Sequence, residues 1–374
     1  MQKIKIPLQE PIIEKHELSL VTQCIKSKQL SFKGKYVKKF EKKFEKFIGG
    51  GNAVTVSNGT TAIELALATF GISSKDEVII PNYCFAAVIN AVLNIGAKPV
   101  IVDVEQGTWT INPLEIKKKI NLKTKAVIAV HTYGIVCDMQ KIKKILKGKK
   151  IILIEDCAEA LGSKYMNKRV GNLADCSTFS FYPNKTITTG EGGMVVFKKK
   201  IHFQKSLLLR NQGRDSNDTF FYHISRGYNF RMTNFQAALG FAQMYKINNL
   251  LKNRKLVFKI YNDILKSEKK LELIPKPHKT ENSYWLYTLK IKDFSREKRN
   301  KLINNLKNKG IEARPGFYPL SEMIPYKYYA REKYLNSKKI SFCSISLPSS
   351  PNLSVKKINY IAKCFLKELK KLIK

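Results

Sequence analysis

The chain has 374 residues, enough for a sizeable core divided between one large and one smaller domain. Its 44% hydrophobic and 26% charged residues exclude a disordered chain, and no run approaches the roughly 18 apolar residues of a membrane span. The net charge of +39 raises the question of nucleic acid, but 58 of the 68 basic residues are lysines and only ten are arginines, the residue whose planar fork suits bases and phosphates.

Runs such as Ile116-Lys117-Lys118-Lys119-Ile120-Asn121 read as solvated faces, so neither a nucleic-acid nor a membrane partner is expected. The opening Met1-Gln2-Lys3-Ile4-Lys5-Ile6-Pro7 lacks the apolar core of a signal peptide. Seven scattered cysteines, odd in number and with no CxxC pair, fit reduced thiols and predict a cytoplasmic protein without a structural zinc site or other metal.

Between residues 53 and 197, seven short apolar runs read as strands: 53–56, 78–80, 99–102, 126–130, 151–154, 177–181 and 194–197. Amphipathic stretches at 61–70, 86–93 and 139–146 lie between them. This alternation predicts an α/β fold with a mainly parallel sheet, whose ligands sit at the carboxyl ends of its strands. Thr233-Asn234-Phe235-Gln236 has the form of a capping box, opening a helix to about residue 265 with apolar positions at Phe235, Leu239, Ala242, Ile247, Leu250 and Leu251. After Pro275-Lys276-Pro277 a smaller α+β unit is expected, with strands at 284–291 and 311–314 and helices at 296–308 and 355–373. The predicted division is a large cofactor-binding domain over 1–240 and a small domain over 241–374.

Five places carry candidate chemistry. Asp156 follows an apolar strand, where a carboxylate can pair with a protonated ring nitrogen or cap the next segment. Lys185, in Phe181-Tyr182-Pro183-Asn184-Lys185-Thr186, stands apart from the lysine runs. A lysine kept neutral there can condense with an aldehyde, whereas most lysines are surface residues. The turn Thr189-Gly190-Glu191-Gly192-Gly193 follows it, suited to a close ligand approach or a plain β-turn. Ser57-Asn58-Gly59-Thr60-Thr61 enters a helix, as a phosphate site or a helix cap, and matches neither GxxxxGK[ST] nor GxGxxG. Phe85 is either a ring-stacking or a core aromatic.

Together these segments resemble the sugar-nucleotide aminotransferases, pyridoxal-phosphate enzymes of fold type I. The likeness runs from Ile6-Pro7 to the last helix. Its most specific blocks are Glu155-Asp156-Cys157-Ala158-Glu159-Ala160-Leu161-Gly162, Ser180 to Gly193 and Gly227-Tyr228-Asn229-Phe230-Arg231-Met232-Thr233-Asn234. His131-Thr132-Tyr133-Gly134, Tyr284-Trp285-Leu286-Tyr287-Thr288 and Glu312-Ala313-Arg314-Pro315 are similar to the perosamine-synthase subgroup.

The resemblance implies a seven-stranded, mainly parallel sheet plus a smaller C-terminal domain. Lys185 would be the cofactor-bearing lysine and proton shuttle, and Asp156 the ring-nitrogen partner. Glu159 would lie beside the cofactor's 3-hydroxyl, Gly59, Thr60 and Ser180 at its phosphate, and Phe85 on its ring. Asn229 would reach the phosphate from a neighbouring subunit, which implies a homodimer. Glutamate is the expected donor and GDP-4-keto-6-deoxymannose the expected acceptor, for surface glycans such as O-antigen. Arg231, Arg314 and Tyr318 are candidate sugar-nucleotide contacts, and the loops 211–223 and 314–318 are expected to set substrate choice.

The chain departs from the family at Phe85, often Tyr or Trp, and at Tyr182-Pro183, where perosamine synthases commonly carry Phe-Gly. UDP- or dTDP-linked keto-sugars and small keto-phosphates are the alternative substrates. Sugar dehydratases on this scaffold carry histidine in place of the lysine, and Lys185 argues against that activity.

Overall fold

The computed structural model describes residues 5–215 and 220–373. Its centre is a seven-stranded sheet in the order Asn52–Val56, Gly193–Phe197, Cys176–Ser180, Ile152–Asp156, Thr124–Val130, Glu77–Pro81, Lys98–Val102. Gly193–Phe197 runs antiparallel to both neighbours, and the other paired strands run parallel. Each expected strand is present within two residues of its predicted ends.

Successive side chains alternate between two cores, as a period of two requires. Ala53, Ile79, Val127 and Ala129 enter one core; Val54, Val56, Val78, Ile80, Ala126 and Ile128 enter the other. Both faces are therefore covered, and the strands read as continuous apolar runs.

No element was predicted before residue 52, yet Lys15–Lys26 and Lys35–Ile48 form helices there. The second buries Tyr36, Val37, Phe40, Phe44 and Ile48, one face at helical spacing between lysines, and ends at Gly49 with φ 93°. Phe44 meets Phe179 and Phe181 with ring centroids 4.8 and 5.6 Å apart, and Phe40 meets Phe181 at 5.2 Å. Each buried phenylalanine contributes about 1.5–3 kcal/mol. This packing anchors the segment that leads to Lys185.

The long helix is Asn234–Leu265, and Gln236 Oε1 accepts the Thr233 N–H at 3.0 Å, as the capping box predicts. Its expected apolar stripe is wrong at the start, because Phe235 is exposed while Ala237, Ala238 and Gly240 are buried. Small residues face inward because Phe40 lies so close that a Cβ on Gly240 would meet its ring at 2.6 Å. The expected domain boundary at 240/241 falls inside this unbroken helix. Side chains up to Leu250 join the larger core and those from Val257 join a smaller one.

That smaller core packs the rest of the long helix with Arg296–Lys307 and Val355–Ile373 on a four-stranded antiparallel sheet. Its strands are Leu271–Glu272, Tyr287–Ile291, Ser344–Leu347 and Arg314–Pro315. Two expectations shift here. The strand starts at Tyr287 rather than 284, because Tyr284 takes φ 61° and its N–H donates to Asn282 Oδ1. Ile311 instead pairs with Ile6, and the strand is Arg314–Pro315. Among the described residues no helix is long and apolar enough to cross a membrane.

Candidate active site

The carboxyl ends of the parallel strands meet at one edge of the large sheet. Asn52–Val56 leads into Gly59, Glu77–Pro81 into Phe85, and Thr124–Val130 into Tyr133, while Asp156 and Ser180 are themselves the last residues of their strands. Lys185 follows Ser180 in a turn closed by its own N–H donating to the Tyr182 carbonyl at 2.9 Å. Its side chain is only 13% exposed, which rules out the surface reading. Nζ lies 3.8 Å from Glu159 Oε1 and 3.8 Å from the centre of the Trp285 ring. Burial holds the amine below the ordinary lysine pKa, against the opposing pull of Glu159 and Asp156.

Asp156 is buried, and its carboxyl is pushed above the ordinary aspartate value by that burial. Oδ1 accepts from Ala158 N–H at 3.1 Å and from Thr178 Oγ1 at 3.2 Å. Both bonds end on one oxygen, so Oδ2 keeps acceptor capacity for a ligand. The capping alternative is met in part: the segment after Asp156 is a turn rather than a helix, and Asp156 closes it. Glu159 is also buried, accepts the Tyr133 N–H at 2.7 Å through Oε2, and is raised to about 7 by desolvation despite Lys185.

Gly59 opens the helix Gly59–Thr69, and Asn58 Oδ1 caps it through the Thr61 N–H at 2.9 Å. The N–H groups of Gly59 and Thr60 have no acceptor within the helix, by its geometry. A Cβ on Gly59 would lie 2.8 Å from Ser180 Cβ, so glycine is required for the helix start to sit against the end of that strand. Gly193 is under the same constraint, since a Cβ there would meet the Asn58 carbonyl oxygen at 2.3 Å.

These residues fit pyridoxal phosphate: a buried amine for its aldehyde, a buried carboxyl for its ring nitrogen, and free backbone N–H groups with the Ser180 hydroxyl for its phosphate. Beside Lys185, Asn184 Oδ1 is buried and makes no hydrogen bond within the described chain, which leaves an acceptor for a bound group. Phe85 is 61% exposed, so the core reading fails and its face is available for stacking. It leans on Phe317 with ring centroids 6.1 Å apart.

The remaining candidates are not joined to the amine by any direct contact. Asn229 is exposed and its Oδ1 accepts from Arg231 at 2.7 and 3.1 Å. Arg231 also donates to Asn211 and stacks on Phe32, which makes it a hydrogen-bonded hub, with no ion pair among the described residues. Arg314 is paired with Glu312 at 2.8 Å and largely exposed. Tyr318 lies 5.4 Å from the Arg296 guanidinium. Of the loop 211–223, residues 216–219 lie outside the described residues.

Several side chains around the amine were given no role from the sequence, although Tyr133 and Trp285 lie in motifs that carried the family resemblance. Trp285, Tyr133 and Phe317 form a continuous stack, with centroids 5.8 and 4.9 Å apart and rings 19° and 10° from parallel. The backbone of this same Tyr133 holds Glu159. Arg254, fully buried, donates to the carbonyls of Trp285 and Lys185. Its signal was compositional: in a chain that uses lysine almost everywhere, arginine marks places where a fork is needed. Four of the ten arginines are buried against a single lysine, Lys290, among the described residues.

His131, Glu155 and Cys157 also cluster, fully buried, behind the site. Cys137 N–H donates to His131 Nδ1 at 3.2 Å, which assigns the ring proton to Nε2 and makes it a donor to Glu155 Oε2 at 3.3 Å. Glu155 further accepts the N–H groups of Gly171 and Leu173 at 3.0 and 2.6 Å. The group is a hydrogen-bonded node that fixes the loop behind Asp156.

A sequence profile of the DegT/DnrJ/EryC1/StrS aminotransferase family matches residues 11–366. The chain is 40% identical to a GDP-perosamine synthase of Escherichia coli O157:H7, over 95% of this chain and 96% of that one. It is 38% identical to a GDP-perosamine synthase of Vibrio cholerae, over 96% and 98%. A sugar aminotransferase of Streptococcus pneumoniae, solved in its PLP form, superposes with a TM-score of 0.93 at 26% identity, covering 98% of this chain and 99% of that one.

Proposed function

The chain belongs to the DegT/DnrJ/EryC1/StrS aminotransferase family, and from that premise we propose that it moves an amino group from glutamate to C4 of GDP-4-keto-6-deoxymannose, giving GDP-perosamine for a surface glycan such as O-antigen. It is a pyridoxal-phosphate-dependent sugar aminotransferase of fold type I. The substrate assignment is carried by one observation, the 40% identity to a GDP-perosamine synthase along nearly the full length of both chains.

Pyridoxal phosphate, when bound, supplies an electron sink for the charge that develops on the amino donor's α-carbon. Lys185 is proposed to hold it through Nζ and, once released, to take the proton from that α-carbon. In the second half-reaction the same Nζ returns a proton to C4 of the sugar. Its lowered pKa suits this work, because a neutral amine is both nucleophile and base. Asp156 would keep a ring nitrogen protonated from its buried position at the end of Ile152–Asp156. Glu159, poised near 7, can either donate or accept a hydrogen bond at the adjacent ring oxygen.

Gly59, Thr60 and Ser180 are assigned the phosphate, and Phe85 the ring face. Asn229 is assigned to the partner subunit's phosphate in a homodimer. Arg231, Arg314 and Tyr318 are assigned to the sugar nucleotide, because a guanidinium can grip two oxygens of a diphosphate.

The test is kcat/KM measured across GDP-, UDP- and dTDP-linked 4-keto-6-deoxy sugars and small keto-phosphates, with glutamate as donor. Preference for the GDP sugar is expected, with Arg314→Ala impairing the sugar half-reaction far more than the glutamate half-reaction. Preference for another nucleotide, or for a keto-phosphate, refutes the perosamine assignment.

A further inference from the structure

Arg254 sits in the middle of the long helix with 1% exposure, the side chain of a strongly basic residue placed where water does not reach. Such a charge is usually matched by a carboxylate. Here, among the described residues, no ion pair involves Arg254, and its partners are neutral oxygens. Nη1 donates to the Trp285 carbonyl at 2.7 Å and Nη2 to the Lys185 carbonyl at 3.1 Å. With the Gln9 amide turned so that its oxygen faces the guanidinium, Gln9 Oε1 accepts from Nη2 at 2.5 Å and from Nη1 at 3.2 Å. Nε has no partner.

The two carbonyls belong to the residues that define the position of the amine. Lys185 carries Nζ, and Trp285 supplies the ring face on which Nζ rests at 3.8 Å. The Trp285 indole N–H closes the ring of contacts by donating to the Asn184 carbonyl at 2.7 Å. One guanidinium thus fixes the lysine-bearing turn of the large unit against the tryptophan of the small one.

We propose that Arg254 is a positioning residue for Lys185: its fork holds the Lys185 and Trp285 backbones in register, and its charge, left without a carboxylate, bears on the amine. A structural tie alone would be served as well, and at lower desolvation cost, by a compensated arginine or a neutral amide. The missing counter-ion is what a role toward the amine explains. Burial is the main influence holding Lys185 toward its neutral form; Glu159 and Asp156 favour the charged form, and Arg254 adds the smallest contribution, on the side of burial. Arg254 is the one cation in that set.

The proposal rests on Lys185 being the working lysine, and the experiment separates the two. Three variants of the cofactor-loaded enzyme are compared with the parent: Gln9→Glu, Arg254→Lys and Arg254→Gln. The readouts are the pH at which the visible absorbance changes, the urea unfolding midpoint, and kcat and KM for glutamate.

Gln9→Glu gives Arg254 a carboxylate without removing a tie. It is expected to leave the unfolding midpoint unchanged or higher, while the absorbance transition moves up by on the order of one pH unit. Arg254→Gln is expected to move the transition in the same direction and to lower kcat by on the order of tenfold or more, with a smaller change in KM. Arg254→Lys keeps the charge and restores the transition pH, but not the full kcat.

An unmoved transition in Gln9→Glu overturns the electrostatic role. Parental kcat in folded Arg254→Gln overturns the positioning role. Should Arg254→Gln fail to fold, Gln9→Glu decides the electrostatic role. Arg254→Lys, which keeps the charge but not the fork to both carbonyls, then decides the positioning role, parental kcat there overturning it. Borohydride reduction that fixes the cofactor to a peptide other than the one bearing Lys185 would instead overturn the underlying assignment.

Discussion

Replacing Glu159 by Gln tests the electrostatics of the site without removing the hydrogen bond from Tyr133, because a glutamine oxygen accepts the same N–H. The Glu159 carboxyl is raised from 4.5 to about 7, first by burial, with Lys185 pulling the other way. A folded-state pKa above the unfolded one means that the native protein holds a proton which the unfolded chain releases. The associated stability is fully present below about pH 4.5 and is lost as pH rises toward 7.

The shift corresponds to about 3 kcal/mol lost by the parent protein at pH 8 relative to pH 4.5, an order-of-magnitude figure. Glutamine does not titrate, so Glu159→Gln escapes this loss. Its advantage over the parent should grow from near zero at the acid end to about 3 kcal/mol at pH 8. With an unfolding entropy of about 2.1 cal/mol/K per residue, that is roughly 4 °C in Tm for a chain of this length.

The assay is urea unfolding of the cofactor-free protein at half-unit steps between pH 4.5 and 8. A Lys185→Ala background supplies an internal check. Removing the amine that lowers the Glu159 pKa should move the window to higher pH. A stability difference between Glu159→Gln and the parent that is the same at pH 5 and pH 8 would refute the reasoning, since Glu159 would then be ionised throughout.

Lys185→Ala should abolish turnover while leaving the unfolding midpoint of the cofactor-free protein unchanged or raised, because a desolvated amine is lost. Steady-state assay and circular dichroism check the two halves. Gly59→Ala forces a Cβ to within 2.8 Å of Ser180 Cβ. It should weaken cofactor affinity by on the order of tenfold or more and cost about 1–3 kcal/mol, read by fluorescence titration and urea unfolding. If two subunits share each phosphate site, mixing inactive Lys185→Ala chains with inactive Asn229→Ala chains should recover part of the activity. Verified heterodimers that remain inactive would exclude the sharing.

The strands, most of the helices and the order of Gly59, Phe85, Asp156, Ser180 and Lys185 along the chain were legible in the sequence. The elements, Gly59 and Asp156 rest on local chemistry, namely a period of two or 3.6, a glycine before a helix and a carboxylate closing an apolar run, whereas Ser180 came only from the family resemblance. Local pattern was readable in Lys35–Ile48 as well, but lysines between its aromatics hid a face that becomes obvious only once Phe40 and Phe44 are seen packed on Phe179 and Phe181.

Which way Phe235 turns, and where the long helix passes from one core to the other, depended on how closely neighbouring elements approach. Residues such as Phe40, far away in sequence, set that distance. The surroundings of the amine were likewise decided by tertiary structure. Glu159, Trp285 and Arg254 are 26, 100 and 69 positions from Lys185, and no periodicity relates them. They meet because both cores close around the same strand ends. The protonation of Glu159 and Lys185 then follows from exclusion of water, a property of the assembled site that no single segment carries.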